Sequence, residues 1–422
     1  MQEEYRKELE GILEELGNKL DISETEYEAA KRSYNAVGDY LSKDNSPLKP
    51  YNPEILPQGS FMLGTMIKPV NEGDELDVDL VCKLEKIPSY WTQKILKDNV
   101  GDWLKSNGRY EAMIKNKGGG RRCWTLHYAD DTNYHLDILP STTDMNLKVF
   151  LSESLFKKHD FDLSEVDELA IRITDKESSP IYEESTDIND WLKSNPFGYA
   201  TWFFQIAVKH QESEKRLFAL NESVNPLKPY TKRKMPLQRV VQLLKRDRDI
   251  MFSDKKYDCE HKPISIIITT LAAKSYDLSQ HKSNLLESFI DIVNNMRDCI
   301  ERKYNPESGE YEWWVENPIN TCENFADKWP KEPIKEEYFF EWLESVESYV
   351  EKLQTQPKIT FLSDSLSKRY GDNVVTETFN AIGKQKEMAR IDGKRELGRN
   401  GMLGTLVGGK TVKNHNFYGN CE

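Results

Sequence analysis

Two carboxylates stand two residues apart in Asp74-Glu75-Leu76-Asp77-Val78-Asp79-Leu80-Val81, and a small Gly-Ser turn, Gln58-Gly59-Ser60-Phe61, precedes them. From residue 75 to 84 the apolar positions alternate: Leu76, Val78, Leu80, Cys82 and Leu84. Strand side chains have a period of two, so these residues share one face while Asp77 and Asp79 share the other, about 7 Å apart. Two like charges held side by side call for a cation between them. Mg²⁺, which prefers a few carboxylates plus substrate phosphates, suits that demand. Asp-x-Asp alone reads better as a solvent-facing acidic strand.

A third carboxylate changes the balance. Cys123-Trp124-Thr125-Leu126-His127-Tyr128 reads as a strand, Ala129-Asp130-Asp131-Thr132 as a turn, and Asn133 to Leu139 as the returning strand, with Asn133, His135 and Asp137 on one side of it. Three carboxylates on adjacent strands suit a two-metal phosphoryl-transfer site, with ions about 3.5–4 Å apart.

Further along, Lys228, Lys232, Arg233, Lys234, Arg239, Lys245, Arg246 and Arg248 form the densest basic stretch. Val240, Val241, Leu244 and Arg248 fall at helical spacing within it, which predicts a helix with one packed face and one cationic face. Such a helix is either ordinary and amphipathic or a phosphate clamp. Ser265 opens the following apolar helix, Ile264 to Ala273, where a hydroxyl and N-terminal backbone donors can hold an anion.

The elements that must position these groups follow from the rest of the chain. Residues 3 to 17 read as a helix. Ser23-x-x-Glu26 has capping-box spacing, and Tyr27, Ala30, Tyr34, Val37 and Leu41 continue a second helix to Lys43-Asp44-Asn45-Ser46-Pro47. Residues 90 to 107 read as helical and Gly118-Gly119-Gly120 as a loop. From about residue 190 the character becomes helical, opened by Asn195-Pro196-Phe197-Gly198-Tyr199, and Pro333 to about Leu353 forms a late helix. From residue 372 charged residues dominate, followed by a Gly-containing end with Gly408, Gly409, His415 and Phe417-Tyr418-Gly419, which reads as a mobile tail. The division is therefore 1–190, 191–371 and 372–422.

Composition sets outer limits. The chain has 422 residues, 38% hydrophobic and 31% charged, a globular balance with room for two or three domains. Its net charge of −13 argues against binding long DNA, which needs a broad cationic surface. Six scattered cysteines form no Cys-x-x-Cys pair, so neither a zinc ribbon nor a disulfide framework is expected. Apolar runs are too short to span a bilayer. The N-terminus has no basic region followed by an apolar one, and the chain reads as cytoplasmic.

With the Gly59-Ser60 turn, the Asp77/Asp79 pair and Asp137 in place, the chain resembles the nucleotidyltransferases related to cyclic GMP-AMP synthase. It is most similar to their bacterial branch, the dinucleotide-cyclase-like enzymes of cyclic-oligonucleotide anti-phage systems. Gln58-Gly59-Ser60-Phe61 with Gly64-Thr65 matches that family's phosphate turn, Asp74 to Asp79 its first metal motif, and His135-Leu136-Asp137-Ile138-Leu139-Pro140 its third aspartate. Asn195-Pro196 with Gly198-Tyr199-Ala200 and Trp202-Phe203 resembles the entry to its helical lobe, and Asn317-Pro318 with Glu323-Asn324-Phe325 a landmark shared with oligoadenylate synthetases. The zinc insertion of the DNA-sensing animal form is absent.

The resemblance implies an α+β, bilobal, polymerase β-like fold, with a small mixed sheet facing a helical lobe like that of the oligoadenylate synthetases. Asp77, Asp79 and Asp137 would be catalytic and would hold two Mg²⁺ ions, with Mn²⁺ as the alternative. Gln58, Gly59 and Ser60 would hold the donor phosphates, with Lys245 and Ser265 gripping the same triphosphate from the other lobe. The expected reaction makes a cyclic di- or trinucleotide second messenger from ATP and other NTPs, releasing pyrophosphate, for a downstream effector in antiviral defence. A linear oligonucleotide synthase, nucleotidyl transfer to RNA or protein, and a catalytically silent nucleotide-binding protein are the alternatives. Tails in this family engage regulatory or conjugating partners, which the tail here would also do. Tyr199, Arg121 and Arg122 are candidate base contacts.

Overall fold

The computed structural model describes residues 3–71, 73–116, 118–128, 133–143, 169–208, 230, 233–279, 284–306, 308–355 and 359–391, with three two-residue strand pieces beyond. Lys228, Lys232 and the expected tail residues Gly408, Gly409, His415 and Phe417 to Gly419 lie outside the described residues.

The central sheet contains strands β1 (Glu54–Pro57), β2 (Leu76–Leu84), β3 (Trp124–Tyr128), β4 (Tyr134–Thr142), β5 (Ile171–Ile173) and β6 (Lys193–Ser194). Its order is β1-β2-β4-β5-β6, with β3 also paired to β4. β2 and β4 run parallel, and the remaining pairs are antiparallel. β3 occupies the free edge of β4 along its first half, and β5 takes over at Ser141 and Thr142.

One face of β2 carries the alternating apolar row and packs with Val37, Leu41, Leu96, Val100, Leu104 and Trp124. Val37 and Leu41 lie on α2 (Glu24–Leu41), Leu96, Val100 and Leu104 on α4 (Gln93–Lys105) and Trp124 on β3; α1 (Glu3–Leu20), α3 (Gly59–Leu63) and α5 (Gly108–Met113) complete the helices of this part of the chain. The capping box of α2 is formed as the spacing implies: the Ser23 hydroxyl accepts from the Glu26 N–H, and the Glu26 carboxylate accepts from the Ser23 N–H. The other face of the sheet changes character along its length. Near the starts of β2 and β4 it is polar. Farther on, Val81 and Leu139 are buried with Leu56, Ile171, Ile173 and Phe197. The polar part of this face therefore lies at the N-terminal ends of the two parallel strands.

The second lobe is helical: α6 (Pro196–Val208), α7 (Pro236–Met251), α8 (Ser265–Leu278), α9 (Leu285–Met296), α10 (Pro333–Thr355), α11 (Ile359–Tyr370) and α12 (Asp372–Ile391). An exposed hairpin, β7 (Glu301–Asn305) with β8 (Glu310–Trp314), lies between α9 and α10. Asn195 starts α6 as its position suggests, its side-chain oxygen accepting from the Gly198 N–H at 2.8 Å. Among the described residues no helix is long and apolar enough to cross a membrane.

Packing departs from the expected division in three places. β6, at residues 193–194, still belongs to the sheet. The apolar face of α1, including Leu9, Leu13 and Leu16, is buried in the helical lobe's core with Phe203, Val240 and Phe289, because that stripe matches the lobe and not the sheet. The expected mobile tail from 372 is corrected for 372–391, which form the 20-residue helix α12. Asp372, Glu377, Lys384 and Glu387 are exposed, while Val375 joins the lobe's core and Lys386 and Gln385 reach Glu8 and Glu15 of α1.

α7 corrects a further expectation. Its basic residues do not present a solvated cationic face, for every side chain from Leu237 to Arg248 is buried. Arg239 pairs with Asp21 at 2.8 Å. Four others bond the end of α3 and the irregular segment that follows it: Gln238 donates to the Leu63 carbonyl, Gln242 to that of Met66, Lys245 to that of Thr65, and Arg246 to those of Lys68 and Pro69. Positions 238, 242, 245 and 246 fall on one helical face. Backbone carbonyls without strand partners need donors when buried, and α7 supplies them from the opposite lobe. The two lobes are thereby joined along the segment that leaves the Gly-Ser turn.

Candidate active site

The parallel register of β2 and β4 places Asp77 beside His135 and Asp79 beside Asp137. β3 adds Thr125 opposite Asp137 and His127 opposite His135. Since side chains alternate, all six project from the same face. The three expected aspartates are thus brought together by strand register.

Their environments differ. Asp77 is the most open, with its side chain 59% exposed. Its Oδ1 lies 3.1 Å from His135 Nε2. Asp137 Oδ1 accepts from the Thr125 hydroxyl at 2.5 Å. Asp77, His135 and Asp137 each offer a ligand atom within 4.8 Å of the other two. Asp79 lies deeper and outside that group, its carboxylate turned against the Gly59 backbone. Burial, reinforced by the neighbouring Asp77 and Asp137 charges, pushes Asp79 up to about 7. Burial likewise raises Asp137, against the opposing Thr125 hydrogen bond. His135 is pushed up to about 9, first by its hydrogen bond to Asp77. The site thus crowds three carboxylates that the His135 and Lys245 charges offset only in part, and a divalent cation fits the shortfall.

The turn is tied directly to the strand. The Gln58 N–H donates to the Asp79 carbonyl at 2.9 Å, and the Thr65 N–H to the Ser60 carbonyl at 3.0 Å. Gly59 has φ +58°, and a Cβ there would lie 2.6 Å from Asp79 Oδ2. Glycine is required on both counts, backbone and space.

Lys245 reaches the site from α7. Its ammonium donates to the Thr65 carbonyl at 3.1 Å. Burial first, then the Arg248 charge, lowers Lys245 to about 8, and its charge acts on Asp79. Ser265 sits one step away: its hydroxyl accepts from Arg248 at 3.0 Å, and Arg248 also holds the Pro263 carbonyl. Arg248 was not anticipated as a site group, although it lies three residues, about one helical turn, beyond Lys245. Thr125, His127 and Glu75 were likewise missed, and the alternation within 123–128 was the signal for the first two. The expected base contacts have other partners. Tyr199 is buried and bonds the Thr270 hydroxyl; Arg121 and Arg122 both pair with Asp175.

Residues 8–151 match the model of the Second Messenger Oligonucleotide or Dinucleotide Synthetase (SMODS) domain. The chain is 27% identical over 417 residues to a c-di-GMP synthase of Roseivirga ehrenbergii, with 98% of each chain covered. It is 23% identical over 396 residues to the cyclic dinucleotide synthase CdnG of Bradyrhizobium diazoefficiens, covering 89% of this chain and 84% of the relative. The fold is similar to the structure of the Bradyrhizobium diazoefficiens CD-NTase CdnG in complex with GTP, at TM-score 0.61 and 20% identity over 89% of this chain and 99% of that one. It is also similar to the E. coli MS115-1 CdnC:HORMA-deltaN complex, at TM-score 0.52 and 12% identity over 83% and 93%. These two likenesses establish a shared polymerase β-like, α+β fold.

Proposed function

We infer that this chain, which belongs to the bacterial cGAS/DncV-like nucleotidyltransferases (CD-NTases), joins two nucleoside triphosphates into a cyclic dinucleotide. The observation that carries this reading is the convergence of Asp77, Asp79 and Asp137 on one sheet face beside the Gly59-Ser60 turn. GTP is the first candidate substrate, because both curated relatives are named as cyclic dinucleotide synthases, one of them for c-di-GMP. ATP is the second. The division into a catalytic core and a helical lobe, an anti-phage role and an effector that reads the product belong to the same proposal.

Asp77, Asp79 and Asp137 are the residues that would hold divalent ions, Mg²⁺ or Mn²⁺, which when bound lower the pKa of a ribose hydroxyl and neutralise triphosphate charge. Asp137, aimed by Thr125, orients the attacking hydroxyl. Ser60 and the backbone at Gln58 and Gly59 hold the donor phosphates, and Lys245 and Ser265 hold them from α7 and α8, with Arg248 aiming Ser265. Attack on the α-phosphate forms the new P–O bond, breaks the bond to the β-phosphate and releases pyrophosphate. The linear product then turns in the site for a second, ring-closing attack. Positioning and charge neutralisation supply most of the rate in such chemistry.

The test is purified full-length chain with Mg²⁺ and labelled GTP and ATP, singly and mixed, followed by phosphatase and mass spectrometry. A phosphatase-resistant dinucleotide with two cyclic phosphodiester links is the expected product. Label fully released by phosphatase would indicate a linear synthase, and no nucleotide product from any mixture would overturn the reading.

Lys245→Ala separates grip from chemistry. Losing a charge-assisted contact to phosphate raises the apparent KM for NTP about 10-fold or more. An unchanged KM would mean that the ammonium serves only the Thr65 carbonyl.

A further inference from the structure

Beside the three aspartates lies a second group of ligand atoms that the proposed chemistry does not use. His127 on β3 lies directly opposite His135 on β4, and Glu75 stands just before β2, two residues ahead of Asp77, the residue that pairs with His135. Glu75 Oε2 lies 2.7 Å from His127 Nδ1 and 3.2 Å from His135 Nδ1. The three ligand atoms all fall within 4.8 Å of one another. The other carboxylate oxygen of Glu75 faces Lys115 at 3.3 Å, so Oε2 is the one turned to the rings. Side-chain exposures of 22%, 22% and 25% for His127, His135 and Glu75 leave the group open to solvent.

Two imidazole nitrogens and one carboxylate oxygen, with room for water, form a donor set of the kind that binds zinc and its neighbours in the first transition row. It differs from the oxygen-rich set formed by the aspartates, which suits Mg²⁺. A second, independent feature points the same way. His135 Nε2 faces Asp77 Oδ1 at 3.1 Å, and a carboxylate there only accepts, so Nε2 keeps its proton while Nδ1, on the Glu75 side, is the nitrogen that can give its proton up to a metal. Metal-binding histidines commonly donate their other ring N–H to a carboxylate in this way, which fixes the tautomer and orients the ring.

We propose that Glu75, His127 and His135 form a transition-metal site of the zinc type, joined to the catalytic carboxylates through the His135 ring. Each histidine contributes Nδ1, Glu75 contributes Oε2, and protons held on the Nδ1 atoms leave as the ion enters. The remaining positions are taken by water. An ion there immobilises His135 and, through Nε2, the carboxylate of Asp77, so that occupancy of one site sets the geometry of the other.

Calorimetric titration of the purified full chain with ZnCl₂ in millimolar Mg²⁺, without nucleotide, tests this. One Zn²⁺ binds per chain. His127→Ala and Glu75→Gln weaken it about 100-fold or more, and Asp77→Asn, which removes only the orienting partner, about 10-fold. Asp79→Asn leaves it unchanged. Zinc binding that survives His127→Ala, or that Asp79→Asn removes, would place the ion among the aspartates and overturn the proposal. Co²⁺ absorption of the unmutated chain gives an answer that no folding defect can blur. Intense visible bands of low-coordinate cobalt are expected, and only the weak bands of an octahedral oxygen set would contradict it.

Discussion

Asp79→Asn abolishes turnover and at the same time makes the metal-free protein more stable above pH 7. Burial, then the charges of Asp77 and Asp137, raise the Asp79 carboxyl to about 7 in the folded state, against about 3.9 in an unfolded chain. Between these values the folded protein holds a proton that the unfolded chain has released. Its stability therefore falls as pH rises through that window, and the whole cost is present above pH 7. An asparagine of the same shape carries no charge at any pH and removes a cost on the order of 4 kcal/mol at pH 8. Melting curves of the metal-free variant and parent should coincide near pH 4 and separate by several degrees at pH 8, with the variant higher. Turnover should fall by about 1,000-fold or more, since metal-assisted charge stabilisation contributes several kcal/mol. A variant no more stable than the parent at pH 8 would show that Asp79 is not strained by its neighbours. Retained turnover would place the metal elsewhere. Where function is built on crowded carboxylates, stability and activity pull in opposite directions.

Gly59→Ala produces the complementary result, large in rate and small in stability. The added methyl would meet Asp79 Oδ2 at 2.6 Å, and the backbone would hold an L-residue at φ +58°, costing about 1–2 kcal/mol. The carboxylate is the freer partner and moves. A displacement near 1 Å at a reacting centre costs about 100-fold in kcat, and single-turnover kinetics with saturating GTP and Mg²⁺ would show it. A kcat within about threefold of the parent would mean that the Asp79 carboxylate has room to be placed otherwise. Thermal melts run alongside separate this from a folding defect, because the joined segment beyond the turn keeps its bonds from Gln238, Gln242 and Arg246.

Much of the site was legible because it lies on strands. Alternation in 75–84 and 133–139 assigns Asp77, Asp79 and Asp137 to faces without knowledge of any neighbour, and the Gly-Ser turn declares itself by residue type. The same alternation put His135 beside Asp137, yet its partners Glu75 and His127 were invisible, because register between strands is a long-range property. The basic stretch was misread for a related reason. Arginines and lysines at helical spacing look like a solvated cationic face until the carbonyls of residues 63–69 and the Asp21 carboxylate are placed against them. The charged segment 372–391 reads as a tail from its sparse apolar residues, but Val375 needs only the matching face of the helical lobe to be buried.

Residue type and local period alone determined that this chain carries a Gly-Ser turn, an acidic strand and a later carboxylate facing the same way. They also determined where its principal helices begin, since caps such as Ser23 and Asn195 act within one turn. The tertiary structure alone decided that Asp79 is crowded enough to hold a proton to about pH 7, that Lys245 comes from the far lobe to the Thr65 carbonyl, and that Glu75, His127 and His135 converge. Burial, electrostatic coupling and cross-strand register depend on atoms distant in sequence, whereas alternation, turn chemistry and capping depend on neighbours a few residues away.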